Sequence, residues 1–192
     1  MTLLILVIIV LIGIHFLPAF PDLRDGLIGK FGRNGYRALF SVASTLGLAL
    51  VIWGFAKAPV IQIWAPPVWT RHLALLLMLP VFPLLLAAYL PGKIKATLRH
   101  PMLAAIKFWA LAHLIANGDL ASIVLFGSFL AYAVVDRILL KRRVPAEPMP
   151  QPSEAEARRN DMISIGAGLA LYVAFLFWLH PLLFGVSPLA SG

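Results

Sequence analysis

Long apolar runs that never alternate in polarity constrain this chain more than any other feature. Six stand out, at about Thr2–Phe20, Ala38–Ala56, His72–Leu90, Met102–Ala116, Leu120–Val135 and Met162–Phe184. About 20 apolar residues cross the hydrocarbon core of a bilayer as a helix. Four runs meet that length; Met102–Ala116 and Leu120–Val135 are shorter. Only Asn117-Gly118-Asp119 joins those two, so they read as a tight helical hairpin. Asn117 or Gly118 would close the first helix and Asp119 would cap the second. A closed β-barrel is the other structure that can span a membrane, and it requires the period-two alternation that these runs lack. The expected fold is therefore all-α, a polytopic membrane bundle of six transmembrane helices forming one domain over residues 1–192. Composition agrees. The chain is 61% hydrophobic and 12% charged, against about 45–50% and 25% for a soluble domain, so a lipid bilayer has to be part of its solvent.

Charge sets the expected orientation. The first connection carries Arg24, Lys30, Arg33 and Arg37, the third Lys93, Lys95 and Arg99, and the fifth Arg137, Lys141, Arg142, Arg143, Arg158 and Arg159. The second and fourth carry only Lys57 and Arg71. Lys and Arg collect on the cytoplasmic side, which puts both termini on the non-cytoplasmic side. The net charge of +8 then needs no nucleic-acid partner, because anionic lipid suffices. The first run lacks a basic leader and a small-x-small cleavage site, and is expected to stay as a helix. The stretch at about 142–160, with its four prolines and three glutamates, is expected to be a solvated cytoplasmic linker. Small residues at spacing four, Ser41/Thr45/Ala49, Gly127/Ala131 and Gly166/Ala170/Ala174, are expected at helix contacts inside the bundle. Pro80 and Pro83 should bend the third helix.

The chain has no cysteine, so any metal or cofactor must be held by other side chains. Polar groups in hydrocarbon are costly and become candidates for function. His15 lies inside the first run, and His113 inside the fourth, on the face of Trp109. Either imidazole could ligate iron, copper or zinc, or simply hydrogen-bond a neighbouring carbonyl. Haem suits two deep histidines best, since its iron accepts histidine on one or both axial sides. Zinc wants three or four protein ligands. His72, His100 and His180 sit at helix ends, where a structural role is common. Lys107 either snorkels to the cytoplasmic surface or faces an anionic group. Asp119 and Asp136 read first as capping and interface residues.

Several segments resemble the NnrU family. They are Arg99-His100-Pro101-Met102-Leu103, Trp109-Ala110-Leu111-Ala112-His113-Leu114, Ala116-Asn117-Gly118-Asp119-Leu120-Ala121-Ser122 and Asp136-Arg137. Gly32-Arg33-Asn34-Gly35-Tyr36-Arg37-Ala38-Leu39-Phe40-Ser41, Ile14-His15 and His180-Pro181 add to the likeness. The resemblance implies a six-helix protein of the bacterial inner membrane, associated with denitrification and needed for nitrite and nitric oxide reductase activity. The family is also similar to plant zeta-carotene isomerase, a haem b enzyme. Carried over by position, His15 and His113 would be the axial haem ligands, with His72 and His100 at the other family histidines. Arg37, Arg99 and Lys107 then become candidates for the haem propionates. The relative has a cysteine three residues before its second ligand, where this chain has Ala110, so thiol-based ligand switching is not expected. Three functions follow as expectations: a haem-b-binding accessory factor for nitrogen-oxide metabolism, a non-catalytic membrane assembly partner, and a haem-dependent isomerase of a polyene. Counting about 1.5 Å per residue puts His15 roughly 8–12 Å and His113 about 16–25 Å above the cytoplasmic edge.

Overall fold

Residues 1–142 and 152–189 are described by the computed structural model. The helices are α1 (Thr2–Phe16), α2 (Pro21–Ala56), α3 (Val68–Met78), α4 (Val81–Tyr89), α5 (Lys93–Leu98), α6 (Pro101–Ala116), α7 (Leu120–Arg142), α8 (Glu154–Ala174) and α9 (His180–Phe184). A 3-10 turn, Leu17–Ala19, follows α1, and a π turn, Phe175–Leu179, joins α8 to α9. The fold is all-helical; among the described residues the one non-helical pairing is an isolated bridge between Gln62 and Asp119. Five segments are long and apolar enough to cross a membrane: Thr2–Ala19, Pro21–Ala56, Val68–Tyr89, Leu120–Arg142 and Glu154–Phe184. The apolar helix α6 is shorter, at 16 residues.

The best-packed helix pairs run α2–α1–α7–α6, then α3 and α4, then α8. Helices α1, α2, α6 and α7 share one apolar core, built on Leu4, Val7, Leu11, Val51, Ala110 and Phe126. Its helices approach closely because small residues face them. A side chain at Gly47 would begin 2.9 Å from the Leu11 methyl, and one at Gly54 3.3 Å from Val7. Without a hydrophobic drive between helices in lipid, such close approach is what dispersion attraction requires.

The connections meet at the two ends. At one end the second touches the fourth: Ile63 and Trp64 N–H donate to the Gly118 carbonyl at 2.8 and 3.1 Å, and Leu120 N–H donates to Ile61. A Cβ at Gly118 would collide with the Trp64 carbonyl, which explains the glycine in the hairpin turn. Asp119 caps α7, accepting from Ser122 N–H at 2.9 Å and from its hydroxyl at 2.6 Å. At the other end, which carries the basic connections, Asp161 of α8 accepts from Lys93 and Ile94 N–H at the start of α5. Asn160 donates to the Pro91 carbonyl at 2.8 Å.

Several boundaries differ from expectation. The first connection is helical: α2 begins at Pro21 and is broken at Gly32, whose φ of 72° and ψ of 164° no other residue adopts cheaply. The third span divides between Met78 and Val81, because Pro80 and Pro83 each lack the N–H that would continue the ladder. Asp136 does not end its helix, which runs on to Arg142. The stretch at 142–160 is not wholly a linker, since α8 starts at Glu154 behind a Ser153–Glu156 capping box; residues 143–151 lie outside the described part. Most of the small residues at spacing four fall on outer faces. Ser41, Thr45, Ala49, Ala131, Gly166 and Ala170 are exposed. The contact that holds α8 is Gly168, where a Cβ would strike the Pro83 backbone.

Candidate functional site

The two deep histidines share one local arrangement. His15 Nδ1 lies 2.9 Å from the Leu11 carbonyl, one turn back on α1. His113 Nδ1 lies 2.8 Å from the Trp109 carbonyl, one turn back on α6. A carbonyl only accepts, so in each ring Nδ1 carries the proton and Nε2 keeps its lone pair. A backbone hydrogen bond of this kind fixes the tautomer of metal-ligating histidines. It equally satisfies a histidine that ligates nothing. His180 is tied in the same way, to the Val186 carbonyl at 2.7 Å.

Their surroundings differ. His15 sits edge-on to Phe40 of α2 at 5.4 Å and to Tyr132 of α7 at 6.0 Å. His113 stacks on Phe126 of α7 at 4.5 Å, with Trp109 beside it at 5.4 Å. Phe126 and Tyr132 are six residues apart on α7, which is about 9 Å along the axis and roughly 120° around it. The two histidines therefore meet α7 at different levels and on different sides. His72 is exposed on α3.

The remaining predicted residues lie in separate places. Arg37 lines a recess of about 400 Å³ together with Pro18, Arg24, Tyr36, Phe40 and Ser41. Phe40 touches the His15 ring, so this recess adjoins His15 and not His113. Arg99 ends α5 with a positive φ of 63° and is exposed. Lys107 is partly buried on α6. His100 occupies the N-cap position of α6, and Asp136 is partly buried on α7. Among the described residues no three or more His, Asp or Glu come together as a metal site, so a zinc-type ligand set is not built. The donor set near His15 is its imidazole, with two arginines and the hydroxyl-bearing Tyr36 and Ser41 in the adjoining recess. That set fits a haem held by one histidine, with His15 the better placed.

Sequence reasoning missed Arg24 and Tyr36. The break at Gly32 folds the first part of α2 so that Arg24 and Tyr36 line the same recess. Gly32, within a run of basic residues, was the available signal.

The fold and these residues define a multi-pass, all-helical membrane protein with histidines set among aromatic rings in its apolar interior. The chain belongs to the NnrU family: the family model described as NnrU protein matches residues 3–188, nearly the whole length. No curated protein and no solved structure matches it.

Proposed function

We propose that this chain is a haem-b-binding accessory factor of the bacterial inner membrane that serves nitrogen-oxide metabolism. The observation that supports the reading is His15, with its Nδ1 on the Leu11 carbonyl and its ring against Phe40, one wall of a recess that Arg24 and Arg37 also line. An apolar macrocycle would lie among the helices, with its carboxylates toward the arginines. His15 is the proposed axial ligand. His113, at its different level, is a second ligand only if α6 shifts along α7. Bound haem would supply a redox-active iron able to take a diatomic nitrogen oxide; the protein contributes the ligand, the counter-charges and the exclusion of water. The topology in this reading has six spans, both termini outside the cytoplasm. Helix α6 counts as the short one, at about 24 Å by its rise, enclosed by α3, α4 and α7.

The absorbance spectrum of purified protein, oxidised and reduced, tests the cofactor. A Soret band that is lost on His15→Ala and kept on His180→Ala is expected; no band after expression with ample haem overturns the reading. Reporter fusions at Pro66 and Gln151 test the orientation, and a non-cytoplasmic signal at Gln151 would overturn it. A second reading, an assembly partner for another membrane complex, is favoured by one observation. The Gly166 and Ala170 face of α8 points away from its own neighbours, as a face for another helix would. In that case the protein purifies without a Soret band.

A further inference from the structure

The recess beside His15 carries a second meaning. Its lining residues are two arginines, Arg24 and Arg37, the hydroxyl-bearing Tyr36 and Ser41, and the apolar Pro18 and Phe40. Among the described residues no carboxylate lines it. The acid nearest in the chain, Asp25, meets Arg24 only at 3.9 Å, with both side chains largely exposed; a pair of that kind neutralises little. The Tyr36 hydroxyl is shut off from solvent and has no hydrogen-bond partner. A buried hydroxyl left unpaired is a standing cost that a ligand oxygen would relieve.

These features share a chemistry. Arginine forks match the paired oxygens of a carboxylate or phosphate, and a phenol hydroxyl donates to the same oxygens. Both arginines belong to the first of the basic connections. Phe40, one wall of the recess, meets the His15 ring edge-on at 5.4 Å.

We infer that the recess formed by Pro18, Arg24, Tyr36, Arg37, Phe40 and Ser41 is a recognition site for the anionic head of an amphiphile. Arg24 and Arg37 supply the charge and Tyr36 supplies the donor, while the apolar body of the ligand runs toward His15. The anionic head has two sources, the phosphate of a membrane lipid or the carboxylates of a porphyrin. The site goes beyond the haem reading and does not need it, because a lipid would satisfy the same groups.

Two arms test this on the full chain. In the first, detergent-purified protein is exchanged into vesicles of phosphatidylglycerol or phosphatidylcholine and the lipid retained on re-extraction is counted by native mass spectrometry. In the second, haem and its dimethyl ester, which lacks free carboxylates, are titrated by absorbance. Tyr36→Phe removes one oxygen and keeps the ring, so it is the variant least able to disturb folding. Arg37→Gln removes a charge, and Arg158→Gln with Arg159→Gln serves as a remote basic control on α8. The expected result is about tenfold preference for the anionic ligand in at least one arm, lost in Arg37→Gln, weakened in Tyr36→Phe and kept in the remote control. The arm that responds names the source. The inference is overturned if neither arm shows a preference, or if the remote control lowers it as much as Arg37→Gln does. A missing Soret band together with selective phosphatidylglycerol retention would overturn the haem reading and uphold this site.

Discussion

The two sides of the molecule are held by different physics. Around α1, α2, α6 and α7 the contacts are apolar and aromatic. Phe126 alone meets Phe55, Trp109 and His113, and glycines let the backbones close in. Helix α8, at the other end of the row, packs closely on α4, with Gly168 against Pro83, and adds a series of polar contacts. The Tyr172 hydroxyl donates to the Leu75 carbonyl at 3.1 Å. Asn160 and Asp161 grip the turn before α5, and Lys93 pairs with Glu154 at 3.1 Å, both exposed. The contrast shows two ways of fixing a helix in lipid. Shape complementarity holds a helix that has several neighbours. A helix at the edge relies on hydrogen bonds that find their partners at one depth and not at others.

Phe126→Ala tests the apolar side most severely. It should cost about 3 kcal/mol, read by unfolding in mixed micelles, and it should leave amide protection of α5 unchanged. Equal loss of protection at α5 would mean that the two sides are not separate. Asp161→Ala, which strips two backbone N–H groups of their acceptor, should cost about 2 kcal/mol. Its exchange signature should be confined to α5 and the start of α8. Combined with Phe126→Ala, its effect should add to within about 0.5 kcal/mol; stronger coupling would contradict the division.

Gly32→Ala should cost about 1–2 kcal/mol, because it forces a side chain into a backbone region reserved for glycine. Its effect should appear as altered proteolysis near Arg33, with the apolar core intact. The smallest effect concerns pH. The Ser153 side-chain hydrogen bond, with help from the Ser153 backbone and Arg159, holds the Glu156 carboxyl below its ordinary value of 4.5. A depressed carboxylate favours the folded form above its unfolded pKa, and that contribution is lost as pH falls through the lower folded value. The first turn of α8 should therefore fray on acidification below about pH 4.5, seen as faster amide exchange at Glu156 and Ala157. Glu156→Gln should flatten that dependence, and fraying that grew with rising pH would refute it.

Much of this was legible in the sequence, for reasons that also mark its limits. Hydropathy located every apolar helix, and Asp119 could be read as a cap because its neighbours leave it no other local task. Helix ends were missed where the chain stays helical past the hydrocarbon, as at Pro21–Arg37 and Glu154–Asp161. Polar residues there look like loop, although their backbones lose nothing by remaining helical in a wet interface. The phase of each helix was harder still. A span that is apolar all round has no preferred face, so spacing-four triples such as Gly166/Ala170 gave a stripe and not its direction. The relative depth of His15 and His113 depends on how α1 and α6 slide against α7, and nothing local to either histidine records that.

The order of helices across the row also sets a timetable for synthesis. Helix α1 is complete at Phe16, yet one of its two flanking helices, α7, begins only at Leu120. At about 5–20 residues per second, roughly 5–20 s pass before that neighbour leaves the ribosome. Until then α1 and α2 must wait in the bilayer as a lone hairpin, with one flank of α1 facing lipid. The glycines that bring their backbones together are what such a hairpin needs to survive the delay. Helix α8, emerging last, docks on a row already built.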